Sequence, residues 1–486
     1  MSVANKVLKG SILLSAAQII SYGSSFLRNI LLARVLTKTD FGIIASLSLT
    51  LMAFEVANKL SIGQQVVQSK HGDNPDFLAA AHFCQFLAGC CGTIIIAALG
   101  SPMAHLFDVP DASWAFMLIS LLSVVSGLQH LDVMRSMRTL SFTKRVILDL
   151  VPELTLTVLA FPLILWQRDY RAMVMLMFAK PLVYMLLSHV LAEQPYRWKM
   201  DPGYIRSILL FGWPLVINAL LMFGYQQGDQ VLIGTNFSVA SLAPYSLAVS
   251  ITLAPGYMFQ YVLNTIMLPL LSQAQDDPAK YKQRFLLCAE LSTVVSVTIA
   301  CLLILCGEWV ISTVYGAKYA GTGPIVAWLA VANGLRIIRS VTVLAAMARG
   351  DTANNMFSNV FRTSSLGLSA LAIVWGKSIV WIAACGCIGE ALALGASWYR
   401  LAKKCGIPIS LGVRSTSIGV GFMALSGAVS VGLLANHSWP VVIPVALAVC
   451  LAAFLVMRHF FGEFRHYLAE SLRTIQTSHP ILRIFG

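Results

Sequence analysis

The sequence predicts an all-α polytopic membrane protein, and three observations support this fold class. Hydrophobic residues make up 57% of the 486 residues, whereas charged residues make up only 11%. A soluble chain holds about 25% charged residues, because polar groups must cover a large surface in water. Long apolar segments recur along the whole chain, and basic residues collect on alternate connections between them. A bilayer accepts such an apolar exterior, so the composition excludes a soluble enzyme.

The apolar segments predict fourteen spanning helices, since a helix needs about 20 mostly apolar residues to cross a bilayer. The seventh and eighth segments are long and contain Pro214, Pro244, Pro255 and Pro269, which predict kinks. The predicted spans cover residues 10–33, 41–62, 78–100, 113–134, 146–166, 172–191, 207–234, 241–271, 285–305, 323–346, 357–376, 379–400, 413–435 and 440–460.

The positions of Lys and Arg predict the orientation of these spans. With the N-terminus in the cytoplasm, 24 of the 34 basic residues fall in inner loops and tails, including Arg362, and six fall in outer loops. Basic residues are enriched on the cytoplasmic side of membrane proteins. The pattern therefore predicts that both termini are cytoplasmic, and it explains the net charge of +13 without nucleic acid. The basic tail, residues 461–486, is expected to lie on the inner leaflet as an amphipathic helix.

Motifs for catalysis and for metal binding are missing from the sequence. The ten cysteines form no spaced pair of CxxC motifs. Gly376-Lys377-Ser378 resembles the end of a phosphate-binding loop, but Leu371 stands where its first glycine is required. Loops long enough for a catalytic domain are also missing. We therefore predict a transporter without a cofactor, rather than an enzyme.

Two stretches about 200 residues apart match in the position of their features. In each, a long span ends in a short outer turn, and small and apolar residues open the next span. Such internal repeats are typical of secondary transporters. The first stretch, residues 24–45, contains Ala33-Arg34-Val35-Leu36 and Asp40-Phe41-Gly42; the second, residues 228–248, contains Asp229, Leu232-Ile233-Gly234 and Tyr245-Ser246-Leu247-Ala248.

These stretches resemble the Wzx-type polysaccharide flippases of the multidrug/oligosaccharidyl-lipid/polysaccharide superfamily. The length, the span count and the orientation fit that family across the chain, although the usual proline of the first turn is absent from Leu36–Asp40. The resemblance implies two pseudo-symmetric six-helix lobes, residues 1–200 and 201–405, around a central cavity. It further implies two additional helices within residues 406–460.

The resemblance also implies a function. Members of this family move polyprenyl-pyrophosphate-linked oligosaccharides across the bacterial inner membrane by alternating access, for surface or exopolysaccharide synthesis. We therefore expect an undecaprenyl-pyrophosphate-linked oligosaccharide as substrate, with a glycan polymerase or a glycosyltransferase as a candidate partner. A multidrug extruder and a lipid II-type flippase of the same superfamily are the alternatives.

Charged residues within the predicted spans are the candidate site, because a charge at membrane depth is costly unless it meets water or a partner. Arg336 and Arg339 are three residues apart and share one helix face, and their forked donors match pyrophosphate. The cations expected to bind substrate are Arg28, Lys180, Arg336 and Arg339.

The acidic residues within spans leave two readings open. Asp229 and Glu390 could pair with these cations and serve structure, or they could couple transport to a proton or a sodium ion. A structural ion pair would also be the alternative role of each cation. Glu55 and Glu153 are expected to lie close enough to the inner surface for their carboxylates to reach water.

Overall fold

The computed structural model describes residues 3–58, 62–138, 141–434 and 439–469. Over these ranges the chain is helical, with short connections and no β-strand. Two further segments, Leu263–Met267 and Ser430–Leu434, are π-helical. The α-helices are α1 Val3–Val35, α2 Lys38–Asn58, α3 Ile62–Gln68, α4 Pro75–Leu106, α5 Ser113–Leu118, α6 Leu121–Gly127, α7 Asp132–Arg138, α8 Thr143–Gln167, α9 Tyr170–Val190, α10 Pro202–Asn236, α11 Val239–Val262, α12 Leu268–Ser272, α13 Pro278–Val314, α14 Gly323–Ala348, α15 Ala353–Val374, α16 Ile379–Cys405, α17 Ser410–Val429 and α18 Trp439–Phe460.

Each of the fourteen predicted spans overlaps helical structure within the described residues. Eleven helical segments of the described residues are long and apolar enough to cross a bilayer. The helices of the first, second and eleventh predicted spans, α1, α2 and α15, contain 33, 21 and 22 residues but are not among those eleven. The fourth predicted span is composite, since a 3₁₀ turn, α5 and α6 together form the segment 110–127.

Three of the long helices begin with an Asn or Asp followed by proline. The side chains of Asn74, Asp201 and Asp277 accept hydrogen bonds from backbone N–H groups in the first turns of α4, α10 and α13. Proline fits the next position because its missing N–H would have no partner there. These sequence pairs therefore fix where each helix starts. At about 1.5 Å per residue, α10 is longer than the hydrocarbon core is thick.

The kink predicted in the eighth span coincides with an interruption of the α-helix. The π-helical segment Leu263–Met267 separates α11 from α12, and Pro269 is the second residue of α12. Proline has no N–H to donate to the preceding turn, so the regular hydrogen-bond pattern is interrupted there. Pro214, by contrast, lies inside α10, which is assigned as one continuous helix.

The chain divides into two compact units, Met1–Ser246 and Leu247–Gly486. In the first unit, α8 packs against both α1 and α9, and α10 packs along α2 and α4. In the second unit, α16 packs against both α14 and α15, while α13 packs against α14, α17 and α18. The predicted lobe boundary between residues 200 and 201 stays a prediction.

The start of the predicted basic tail is helical over residues 462–469. Its Phe464 N–H donates a hydrogen bond to Glu290 Oε2 on α13, at 2.8 Å. Phe461 and Phe464 are buried in an apolar cluster with residues of α13 and α18. This first part of the tail is therefore packed on the second unit. Residues 470–486 lie outside the described residues.

Candidate functional site

Glu153, on α8, is the centre of a charge cluster in the first unit. Its Oε1 accepts a hydrogen bond from Arg28 Nη1 on α1 at 2.8 Å, and its Oε2 accepts one from Lys180 Nζ on α9 at 2.6 Å. Arg28 also donates to Thr157 Oγ1 at 3.2 Å. The two cations predicted in this half of the chain therefore lie on either side of one buried carboxylate. We call Glu153, Arg28 and Lys180 the first cluster.

Glu390, on α16, is the centre of a second charge cluster. Its Oε1 accepts from Arg336 Nε at 2.8 Å and from Arg362 Nε at 2.7 Å. Its Oε2 accepts from Arg339 Nε at 3.3 Å, and Arg339 also donates to Ser358 Oγ at 2.9 Å. The prediction that Arg336 and Arg339 share one helix face is confirmed, since both reach the same carboxylate. We call these three arginines and Glu390 the second cluster.

The cations of the two clusters differ in exposure. The carboxylates are almost fully buried, with exposed side-chain fractions of 4% for Glu153 and 2% for Glu390. Arg28 and Arg339 are buried as well, at 9% and 7%. Lys180 and Arg336 are the more exposed cations, at 49% and 28%. Each cluster therefore combines a buried ion pair with one cation that a ligand could reach.

Both clusters keep a positive charge after their own carboxylate is neutralised. The first cluster holds two cations and one carboxylate, and the second holds three cations and one carboxylate. An arginine remains protonated in any protein environment. The clusters therefore carry formal charges of about +1 and +2, which suits a multivalent anion.

Asp229 belongs to neither cluster. Its Oδ2 accepts a hydrogen bond from Tyr245 Oη at 2.6 Å, and its Oδ1 accepts one from the backbone N–H of Gln230 at 2.8 Å. The neighbouring Gln230 side chain accepts a hydrogen bond from Ser246 Oγ at 2.9 Å. Asp229 therefore lies in a polar network that joins α10 to α11.

The sequence analysis misplaced two of the clustered residues. The Glu153 carboxylate was expected to reach water, but its side chain is only 4% exposed and it is held by two cations. Arg362 was counted with the inner loops, but it lies in the interior of α15 and binds Glu390. Both residues could have been predicted as charges within the membrane, because the predicted spans 146–166 and 357–376 contain them.

The two turns of the sequence repeat share a helix-capping geometry. In the first, Thr37 Oγ1 accepts from the Asp40 N–H at 3.0 Å, and Asp40 Oδ2 accepts from the Thr37 N–H at 3.4 Å. In the second, Ser238 Oγ accepts from the Ser241 N–H at 3.2 Å. Both are N-terminal caps, and the first is a reciprocal capping box. These motif residues therefore shape the two turns rather than the charge clusters.

Gly42 of the first turn packs directly against the second turn. A Cβ atom at Gly42 would overlap the backbone carbonyl of Val239, at the start of α11. Glycine is required where two backbones approach this closely. The two turns that carry the sequence resemblance are therefore in contact within the first unit.

In the described part of the chain, no group of three or more His, Cys, Asp or Glu side chains is arranged to hold a metal ion. The two clusters instead offer cationic donors in fixed positions. Cationic groups of this kind can bind and orient an anion.

Comparison with known proteins identifies the family of the chain. The family described as polysaccharide biosynthesis protein matches residues 31–324. The chain belongs to this family. It is 19% identical to the succinoglycan biosynthesis transport protein ExoT of Rhizobium meliloti (strain 1021), over 78% of this chain and 76% of ExoT. It is also 24% identical to the teichuronic acid biosynthesis protein TuaB of Bacillus subtilis (strain 168), over 38% of this chain and 41% of TuaB.

Two solved structures show the same fold as this member of the family. The lipid II flippase MurJ, in an inward closed conformation, has a TM-score of 0.72 at 12% identity, with 92% of this chain and 99% of MurJ covered. An inward-facing multidrug resistance transporter of the MATE family has a TM-score of 0.62 at 11% identity, with 83% and 99% covered. The predicted membership of a polysaccharide biosynthesis family is confirmed, and the fold is that of the MurJ and MATE structures.

Proposed function

We propose that this protein flips polyprenyl-pyrophosphate-linked oligosaccharides across the bacterial inner membrane, with both termini in the cytoplasm. Membership of the polysaccharide biosynthesis family and the names of its relatives support a role in polysaccharide export. Undecaprenyl pyrophosphate is the proposed carrier. A glycan polymerase or a glycosyltransferase is the proposed partner, because one must supply the lipid-linked unit and another must consume it.

The observation that carries this proposal is the surplus positive charge of both clusters. A pyrophosphate diester carries two negative charges, which must pass through a medium of low dielectric constant. Cations held at membrane depth reduce the cost of that passage. Guanidinium groups also match phosphate oxygens in a forked geometry. Arg28, Lys180, Arg336 and Arg339 together meet these requirements.

The exposure of the cations divides their roles. We assign direct phosphate contact to Lys180 and Arg336, because they are the more exposed members of their clusters. Arg28 and Arg339 are buried against the carboxylates, so they hold the charge in place and add to the local positive potential. A multidrug extruder for cations would be hindered by both clusters, which disfavours that alternative.

Export in a strain that lacks this gene tests the proposal. The strain is complemented with the wild-type chain or with a Lys180→Gln/Arg336→Gln double variant, and lipid-linked intermediates are extracted and identified by mass spectrometry. We expect the double variant to leave undecaprenyl-linked oligosaccharide on the cytoplasmic side, at normal membrane levels of the protein. Lys377→Gln, an exposed lysine outside both clusters, is the matched control and should restore export.

The same experiment separates the alternatives. Normal polysaccharide with raised drug sensitivity in the deletion strain would indicate an extruder. Accumulation of lipid II alone would indicate a lipid II-type flippase. Full export by the double variant would contradict the binding role of Lys180 and Arg336 while leaving the proposed substrate in place.

The two carboxylates of the sequence prediction receive different proposed roles. For Glu390 we propose structural pairing, because three arginines hold it. For Asp229 we propose coupling to a proton or a sodium ion, because a carboxylate hydrogen-bonded by a phenol can exchange a cation. Asp229→Asn should then make transport in proteoliposomes insensitive to an imposed ion gradient. A gradient response equal to that of the wild type would contradict this assignment.

A further inference from the structure

Three histidines meet one connecting segment at an end of the first unit, away from the charge cluster. His82 on α4, His130 between α6 and α7, and His189 on α9 form a row, with ring centroids 4.6 Å and 5.3 Å apart. Tyr196 packs on His82 at 4.4 Å and on His189 at 4.9 Å. Sequence spacing does not reveal this group, because its members come from four separate parts of the chain.

Tyr196 belongs to the segment that joins α9 to α10, residues 191–201, which we call the strap. Several contacts hold the strap along its length. Near its start, Asp132 Oδ2 accepts the Glu193 N–H at 2.7 Å. Trp198 stacks on Phe86 at 4.5 Å. Lys199 pairs with Asp76 on α4 at 2.6 Å. The strap therefore closes over the buried histidines.

Both buried histidines must be neutral in this arrangement. His82 Nε2 accepts the backbone N–H of Leu131 at 3.1 Å, and His130 Nδ1 accepts that of Asp132 at 3.1 Å. A ring nitrogen that accepts a hydrogen bond carries no proton. The exposed fractions of the two residues are 0% and 4%. Protonation would replace an acceptor with a donor and would place a buried cation beside a second imidazole.

The charged groups around His82 and His130 determine how protonation of either ring would affect the strap. Arg135 on α7 holds Asp132 Oδ1 at 2.7 Å, and Glu193 of the strap pairs with Arg135 and with Lys144 of α8. Asp132 is the anion closest in sequence to His130, and an imidazolium at His130 would compete with the strap N–H groups for its carboxylate.

We propose that His82 and His130 form a proton-sensitive latch, which holds the strap closed while both rings are neutral and releases it when either ring gains a proton. Asp132 transmits the change, since its carboxylate binds the Glu193 N–H of the strap and its own backbone N–H donates to His130 Nδ1. The device is independent of the proposed substrate. It controls the connection between α9 and α10, and therefore the freedom of the start of α10.

The direction of the pH dependence follows from the neutral state. His130 lies beyond the end of the span 110–127, and burial together with the neighbouring His189 lowers the pKa of its imidazole. A lowered pKa in the closed state means that the latch is complete above the ordinary histidine pKa of about 6.5 and weakens as the pH falls. Asp132, whose pKa is also lowered, stays ionised throughout this range, because the hydrogen bonds from Arg135 and from the strap outweigh its burial.

Hydrogen–deuterium exchange of the full-length protein in detergent tests the latch. Protection of the strap amides is measured at pH 7.5 and at pH 5.5, and it is corrected for the intrinsic exchange rate at each pH. We expect protection of residues 192–199 to fall by up to about tenfold for each buried histidine that is released, because pH 5.5 is one unit below the unfolded pKa. Unchanged protection in the wild type would overturn the proposal.

Variants that cannot titrate complete the test. His82→Gln/His130→Asn keeps an acceptor near each backbone N–H, so the strap should stay protected at both pH values. His105→Gln, an exposed histidine on the same helix as His82, should respond to pH as the wild type does. A pH response that survives in the double variant would show that another group is the sensor. If the double variant is not folded, each single variant is expected to lose its own share of the response, and a full response in both would overturn the latch.

Discussion

The two charge clusters use one arrangement with different numbers of cations. In each, the carboxylate lies on a helix that packs against two cation-bearing helices: α8 against α1 and α9, and α16 against α14 and α15. Glu153 meets one arginine and one lysine, whereas Glu390 meets three arginines. The comparison shows that in each cluster the carboxylate positions the cations. The number of cations then determines the surplus positive charge, and also how much stability is lost when the carboxylate is removed.

The difference between lysine and arginine adds to this contrast. Lysine has a long flexible stem, so Lys180 can carry its ammonium group toward water if its partner is lost. Arg339 is buried and only 11% of the Arg362 side chain is exposed, and both have fixed, forked donors, so they cannot follow. Loss of the carboxylate should therefore be tolerated better in the first cluster than in the second.

Removal of the second carboxylate should have the largest effect. Glu390→Gln keeps the shape of the side chain but removes the negative charge that three arginines share, of which Arg339 is buried. We expect a loss of about 3–5 kcal/mol of stability, the range for a broken buried ion pair. Thermal unfolding of the purified protein in detergent measures it. Asp276→Asn, an exposed carboxylate of the same unit, is the control, and equal stability of the two variants would refute a structural role for Glu390.

Removal of the first carboxylate should cost less. Glu153→Gln removes the anion that pairs with the buried Arg28, while Lys180 remains able to reach solvent. We therefore expect a loss of about 2–3 kcal/mol of stability. Asp149→Asn, on the same helix and one-third exposed, is the matched control and should change stability by less than about 0.5 kcal/mol. If Glu153→Gln were as destabilising as Glu390→Gln, the number of stranded arginines would not determine the cost.

The spanning helices and the arginine pair of the second cluster could be predicted from the sequence. Long apolar runs predict spans because length and hydrophobicity are local properties. The spacing of Arg336 and Arg339 predicts a shared face because the helical period is also local. The candidate cations were found for the same reason, since a charge inside an apolar run is visible in the sequence alone.

The partners of these cations could not be assigned from the sequence. Arg28 and Glu153 are 125 residues apart, and their meeting depends on how α1 packs on α8. Glu390 was a correct candidate partner for the arginines, but Arg362 was assigned to a loop and Glu153 to the membrane edge. Glu153 lies seven residues inside the predicted span 146–166, and a glutamate side chain is too short to reach water from that depth. The sequence alone therefore could have placed Glu153 among the candidate site residues.

Removal of the exposed lysine should have the smallest effect on the fold. Lys180→Gln deletes a cation whose side chain is 49% exposed, and Glu153 keeps its buried partner Arg28, so the change should be below about 1 kcal/mol. Arg28→Gln should cost more, because it removes the buried partner and leaves only the flexible one. Thermal unfolding of the two single variants, side by side, measures the difference.

The same pair of variants links stability to transport. If Lys180 is the cation that contacts pyrophosphate, Lys180→Gln should leave the protein folded and still reduce export, because the contact with the ligand is lost while Arg28 still pairs with Glu153. Arg28→Gln should reduce both the thermal stability and the amount of protein in the membrane. Equal stability losses would show that exposure does not separate a structural cation from a binding one, and the contrast between buried and exposed members of each cluster would then fail.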